Sequence, residues 1–140
     1  MDVSAALTFA RQRGRGVFVT QRKDGRPQLS NVLVWVPGDA TIRISIATDR
    51  AKYRNLLREP WAAVHVTSDD FWSWAVLEGP AELTAPAAAP DDEVVAELVE
   101  YYRALSGEHG DWDDYRAAMV REHRVVARVR PSRAYGTLPA

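Results

Sequence analysis

Short β-branched runs separated by hairpin turns mark this chain, and that rhythm limits its fold more than any other feature. Val17-Phe18-Val19-Thr20 is followed by Asp24-Gly25, which supplies the positive-φ positions of a tight hairpin. The returning strand is expected from Pro27 to Val36, with Leu29, Asn31, Leu33 and Trp35 alternating onto one side. Pro37-Gly38-Asp39 makes a second turn into a strand from Thr41 to Ala47. Trp61 to Thr67, Trp74 to Leu83 and Val125 to Val129 read as further strands, with Gly79-Pro80 as a bend and Pro131 as a stop. Helices interrupt this series instead of alternating with it, which excludes a doubly wound sheet. The pattern predicts a mainly β, α+β chain built on a small closed or split antiparallel barrel.

Four helices are expected. Asp2 caps the first, with Val3, Leu7 and Ala10 on one face. The second follows Asp49 as its N-cap, carries Tyr53, Leu56 and Leu57, and stops at Pro60. After the aperiodic stretch Ala85 to Pro90, Pro90 is placed near N1 of a third helix with Asp91, Asp92 and Glu93 in its first turn. Its apolar stripe runs through Val95, Leu98, Val99 and Tyr102, and a fourth helix spans Trp112 to Arg121.

The 140 residues suit a single domain, residues 1–140, long enough to bury a core. A net charge of −1 provides no basic field for a nucleic-acid backbone. The absence of cysteine removes disulfides, thiolate metal sites and a cysteine nucleophile. No apolar run approaches membrane-spanning length and Met1-Asp2-Val3-Ser4 lacks a signal-peptide pattern, so the expected compartment is the cytoplasm. The histidines (His65, His109, His123) are scattered without metal-ligand spacing, and no Gly-x-Ser-x-Gly elbow is present.

Three segments carry candidate chemistry. Arg50 and Lys52 stand where the second helix begins, a position at which cations oppose the helix dipole unless an anion is bound there. Of the 18 basic side chains only Lys23 and Lys52 are lysines, which singles out Lys52 as a compact point charge. The alternative is a solvated helix start. Gln28, Ser30 and Asn31 lie within a strand and offer polar groups to a planar heterocycle, or simply form a wet outer face. Trp72 and Trp74 flank a turn as a stacking wall for a flat ligand or as a subunit contact.

Four motifs together resemble the pyridoxamine 5'-phosphate oxidase-like split-barrel family, and within it the actinobacterial branch of F420-dependent oxidoreductases. They are Asp24-Gly25-Arg26-Pro27-Gln28-Leu29-Ser30-Asn31, Arg50-Ala51-Lys52-x-Arg54-Asn55-Leu56-x-Arg58, Trp72-Ser73-x-Ala75-Val76-x-Glu78-Gly79, and Gly107-Glu108-His109-x-Asp111-Trp112-Asp113-Asp114-Tyr115-Arg116. Tyr135-Gly136 extends the likeness, which runs from about Val17 to Gly136.

The resemblance implies a six-stranded split β-barrel and a homodimer with a flavin-like cofactor in grooves at the dimer interface. It implies that Arg50 and Lys52, with Ser45, Ile46 and Ala51 beside them, hold the cofactor phosphate. Gln28, Ser30, Asn31 and Val32 would lie along the ring, and Trp72 and Trp74 would approach from the partner or line the substrate side. The implied cofactor is coenzyme F420, with FMN as the alternative. The implied reaction is hydride transfer between the deazaflavin C5 and a small conjugated organic acceptor. A cofactor carrier and an FMN-dependent pyridoxamine-phosphate-oxidase-like enzyme are the other readings. Lys23, Arg54 and Arg58 are the cations available to an acidic F420 tail.

Overall fold

The computed structural model describes Met1–Ala140 and contains α1 (Val3–Arg13), β1 (Arg15–Gln21), β2 (Pro27–Leu33), β3 (Ile42–Ile46), α2 (Ala51–Arg58), β4 (Trp61–Thr67), β5 (Trp74–Leu83), α3 (Glu93–Ser106), α4 (Trp112–Arg121), β6 (Val125–Val129) and β7 (Arg133–Thr137). All strand pairs are antiparallel, in the order β2-β1-β4-β5-β6-β3. These six strands curl into a half-open barrel; β7 joins outside that path by pairing with β5. An isolated bridge between Trp35 and Arg43 ties the chain beyond β2 to β3 and draws the two ends of the sheet together.

Alternation places Phe18, Ile42, Ile44, Ile46, Val64, Val66, Ala75, Leu77, Val125, Ala127 and Val129 inside, where they form one buried cluster with Leu56 of α2. Each such Leu, Ile or Phe contributes about 1.5–3 kcal/mol through the apolar surface it removes from water. Asp2 caps α1 through Ser4 N–H at 3.2 Å, and α1 buries Ala6, Leu7, Phe9 and Ala10. That helix packs against β4, β5 and β7. A second cluster (Val95, Leu98, Val99, Tyr115, Met119, Val126) fastens α3 and α4 to the barrel wall. Glu97 of α3 reinforces this by accepting from both Arg43 on β3 and Arg128 on β6. No helix is long and apolar enough to cross a membrane.

The structure departs from the sequence expectations at four places. β2 ends at Leu33, not Val36, because Val34 N–H donates to Gly14 O (2.9 Å) and Trp35 turns to Arg43. Pro90 lies ahead of α3, whose N-cap is Asp92; its carboxylate accepts from Val95 N–H at 2.8 Å. β7 follows Pro131, where the sequence pattern ended the sheet. Finally, Asp49 is not the cap of α2. Arg50 occupies that position and supplies no side-chain cap, while the exposed Asp49 carboxylate lies 3.8 Å from Arg50 Nε.

The expected bend at Gly79-Pro80 is where β5 changes neighbours. Through Pro80 it pairs with β4, and from Ala81 to Leu83 with β6. A β-carbon on Gly79 would stand 2.3 Å from Arg130 O, so only glycine lets β5 pass this corner.

Candidate functional site

A cavity of about 750 Å3 opens between the inner face of β2, the junction of β3 with α2, and the α3–α4 layer. Strand alternation turns Gln28, Ser30 and Val32 of β2 toward it, while Leu29, Asn31 and Leu33 are more exposed on the other face. Gln28, Ser30 and Asn31 are therefore not a single polar edge. Asn31 sits at the rim shared with a second cavity on the outside of the sheet.

Ser45, Ile46 and Ala47 continue the lining, followed by Asp49, Arg50, Ala51 and Lys52 at the opening of α2. Because no side chain caps α2, its first-turn N–H groups gain no partner of that kind. Lys52 donates to Ser30 Oγ at 3.2 Å and has no carboxylate partner. Burial, and then the charges of Arg50 and Arg124, hold its ammonium below the usual lysine range. Three cations thus converge on one end of the cavity.

Arg124 is the member that the sequence reading did not include. It precedes β6, and the pairing of Ile46 with Val125 carries it to the β3 end of the cavity. Its Nη1 donates to Ser45 Oγ at 3.2 Å, while Glu122 accepts from its Nε and Nη2 at 3.1 and 2.8 Å. Nothing in the local sequence around Arg124 signals this role, since 79 residues separate it from Ser45.

The opposite wall is aromatic. Tyr101 donates to Leu33 O at 2.9 Å and Tyr115 to Leu98 O at 2.8 Å. Burial pushes both phenols up to about 12, so they serve as neutral struts at physiological pH. Tyr102 and Met119 complete this side, and Tyr102 packs within 5.0–5.7 Å of His109, Trp112 and Tyr115.

Trp72 and Trp74 do not line this cavity. Trp72 is 75% exposed beside Phe71 in the β4–β5 connection. Trp74 packs edge-on against Tyr135 at 6.1 Å and near His65 at 5.7 Å on the outer face of the sheet. The second cavity, about 530 Å3, lies on that outer side and includes Arg15, Asn31, His65 and Asp69. Of the cations expected to meet an acidic tail, Arg58 is already engaged with Gln21 O and Asn55 Oδ1 at 3.0 Å. Arg54 reaches Asp49 O at 3.4 Å.

A half-open antiparallel barrel with a cavity that gathers three cations at one end is the architecture of a split-barrel protein. The chain belongs to the family described as Pyridoxamine 5'-phosphate oxidase, which matches residues 4–137. Solved structures share the fold. An F420 reductase is 24% identical, with a TM-score of 0.71 over 91% of this chain and 94% of its own. The conserved hypothetical protein Rv2991 from Mycobacterium tuberculosis is 20% identical, with a TM-score of 0.75 over 100% of this chain and 90% of its own. The heme storage protein HutZ from Vibrio cholerae is 15% identical, with a TM-score of 0.69 over 98% of this chain and 96% of its own.

Proposed function

We propose that this protein is an F420-dependent oxidoreductase acting on a small conjugated organic acceptor. The observation that carries the reading is the convergence of Arg50, Lys52 and Arg124 at the uncapped start of α2, with Lys52 lacking an anionic partner. Those cations would hold the cofactor phosphate, and Ser45 would keep Arg124 aimed at it. Gln28, Ser30 and Val32 would lie along the ring. When bound, the deazaflavin supplies hydride transfer at C5. The chain's own part is orientation and exclusion of water, since the tyrosines of the far wall keep their hydroxyls on backbone carbonyls. The likeness to an F420 reductase favours F420 over FMN, which has the same ring-plus-phosphate layout.

We also propose a homodimer. Leu29 and Leu33 of β2 and Tyr135 of β7 are 46–60% exposed on the outside of the sheet. Trp72 stands exposed in the adjoining β4–β5 turn. A second copy seated on this face would cover these side chains and bring Trp72 and Trp74 to the subunit boundary.

Titrations of F420, FMN and FAD followed by tryptophan fluorescence test the cofactor, and light scattering tests the dimer. F420 is expected to bind most tightly, and a preference for FMN or FAD would overturn the cofactor assignment. Reduced F420 should then be consumed faster when a quinone or nitroaromatic is added, and Trp72→Ala should alter that rate more than the affinity. The likeness to a heme storage protein keeps a carrier as the second reading. Protection of reduced F420 against every acceptor would favour it.

A further inference from the structure

We propose that Asn55 is a positioning residue that fixes the hydrogen-bond polarity of the β2 wall, so that the cavity selects a ring edge carrying carbonyl acceptors. The inference rests on the cofactor reading above and adds which edge chemistry the site accepts.

Asn55 is 7% exposed, on the inner side of α2, and every polar atom of its amide is committed. Its Oδ1 accepts from Arg58 Nη2 at 3.0 Å. Its Nδ2 donates to Thr20 Oγ1 at 3.1 Å and to Gln28 Oε1 at 2.8 Å. Arginine has donors and no acceptor, which makes this orientation obligatory. A flipped Asn55 would set an amide N–H2 against the guanidinium and leave its oxygen facing Gln28.

The constraint passes outward one residue. With both Asn55 hydrogens spent, Gln28 must turn its oxygen to Asn55 and its nitrogen the other way. Gln28 lines the cavity, and its Nε2 has no partner within the chain. Ser30, two residues along the same face, accepts from Lys52, which leaves its hydroxyl hydrogen for a ligand. The wall therefore offers N–H and O–H donors in succession, with the Lys52 ammonium beside them. A pyrimidinedione edge, with its carbonyl oxygens, satisfies such a row. An edge bearing amino groups in those places would set donor against donor and leave buried groups unpaired.

Asn55→Asp tests this. The carboxylate keeps the Arg58 contact but cannot donate to Gln28, which then turns its nitrogen to the carboxylate and its oxygen to the cavity. The Kd for F420, or for FMN if wild type prefers it, is expected to rise about tenfold or more. In a Gln28→Met background the same substitution should change Kd by less than about twofold, because no amide remains to be turned. The ring-carbonyl stretch of the bound cofactor, read by infrared difference spectroscopy, should move to higher wavenumber in both single variants. Thermal melts of the ligand-free variants establish that the fold is retained. If Asn55→Asp does not fold, Arg58→Met decides: it unlocks the Asn55 amide and should weaken binding about threefold, an effect lost in the Gln28→Met background.

Wild-type affinity in the deciding variant, or an equal loss with and without Gln28, overturns the inference while leaving the cofactor reading in place. Failure of the wild-type chain to bind F420 or FMN overturns the cofactor reading and this inference with it.

Discussion

Lys52→Met separates binding from stability, because the two should move in opposite directions. In the ligand-free protein Lys52 is half-buried, 3.2 Å from a neutral hydroxyl and facing Arg50 and Arg124. Its protonated form is disfavoured on folding, first by burial and then by those charges. The unfolded chain therefore binds that proton more tightly, and stability should rise with pH as Lys52 titrates between its lowered folded value and 10.5. Methionine removes the charge, so the variant should melt no lower than wild type at neutral pH and should lose this alkaline rise. Binding should respond the other way. A charge-assisted hydrogen bond to phosphate contributes about 1.5–3 kcal/mol, a weakening of about ten- to a hundredfold. The remaining Arg50 and Arg124 keep the loss below the roughly 4 kcal/mol Coulomb energy of a close unscreened pair at the surface. Differential scanning fluorimetry across pH, with F420 titration at neutral pH, reads both. Unchanged F420 affinity would refute the anion site, and a large drop in the ligand-free Tm would show that Lys52 serves the fold.

Other outcomes follow from the same geometry. Arg124→Met should weaken F420 binding about tenfold, and Ser45→Ala less, because serine only steers the guanidinium; fluorescence titration measures both. Gly136→Ala should destabilise by about 1–3 kcal/mol in chemical denaturation, because φ is 144° and the new β-carbon would stand 2.2 Å from Trp74 O. Tyr101 and Tyr115, raised from 10.0 to about 12, contribute stability that is complete below pH 10 and lost as pH climbs toward 12. Alkaline melts should show this loss, and Tyr115→Phe should lessen it.

Much of the architecture is local and was readable. The bounds of β4, β5, α4 and β6 coincide with runs of β-branched residues, helical spacing and turn signals in the sequence. Arg50 and Lys52 stand out in the sequence because a cation at a helix start conflicts with the dipole, and the structure sets both on the cavity lining. Local chemistry puts the cap of α2 at Asp49, one residue before its place in the structure. Asp49 has the right chemistry, yet its exposed carboxylate lies beside Arg50 and the helix start has no side-chain cap.

What depends on pairing at long range was decided by tertiary structure alone. β7 has little alternation to announce it, and it exists because Gly136 can lie flush against Trp74 and Ala75 of β5. Arg124 reaches Ser45 through the β3–β6 register, and Asn55 reaches Thr20 and Gln28 through the docking of α2. The sequence by itself determines helices, turns and strand faces because those follow from neighbouring residues and their periodicity. It does not encode locally which distant strand lies alongside, and that placement sets the third cation and the orientation of the Gln28 amide.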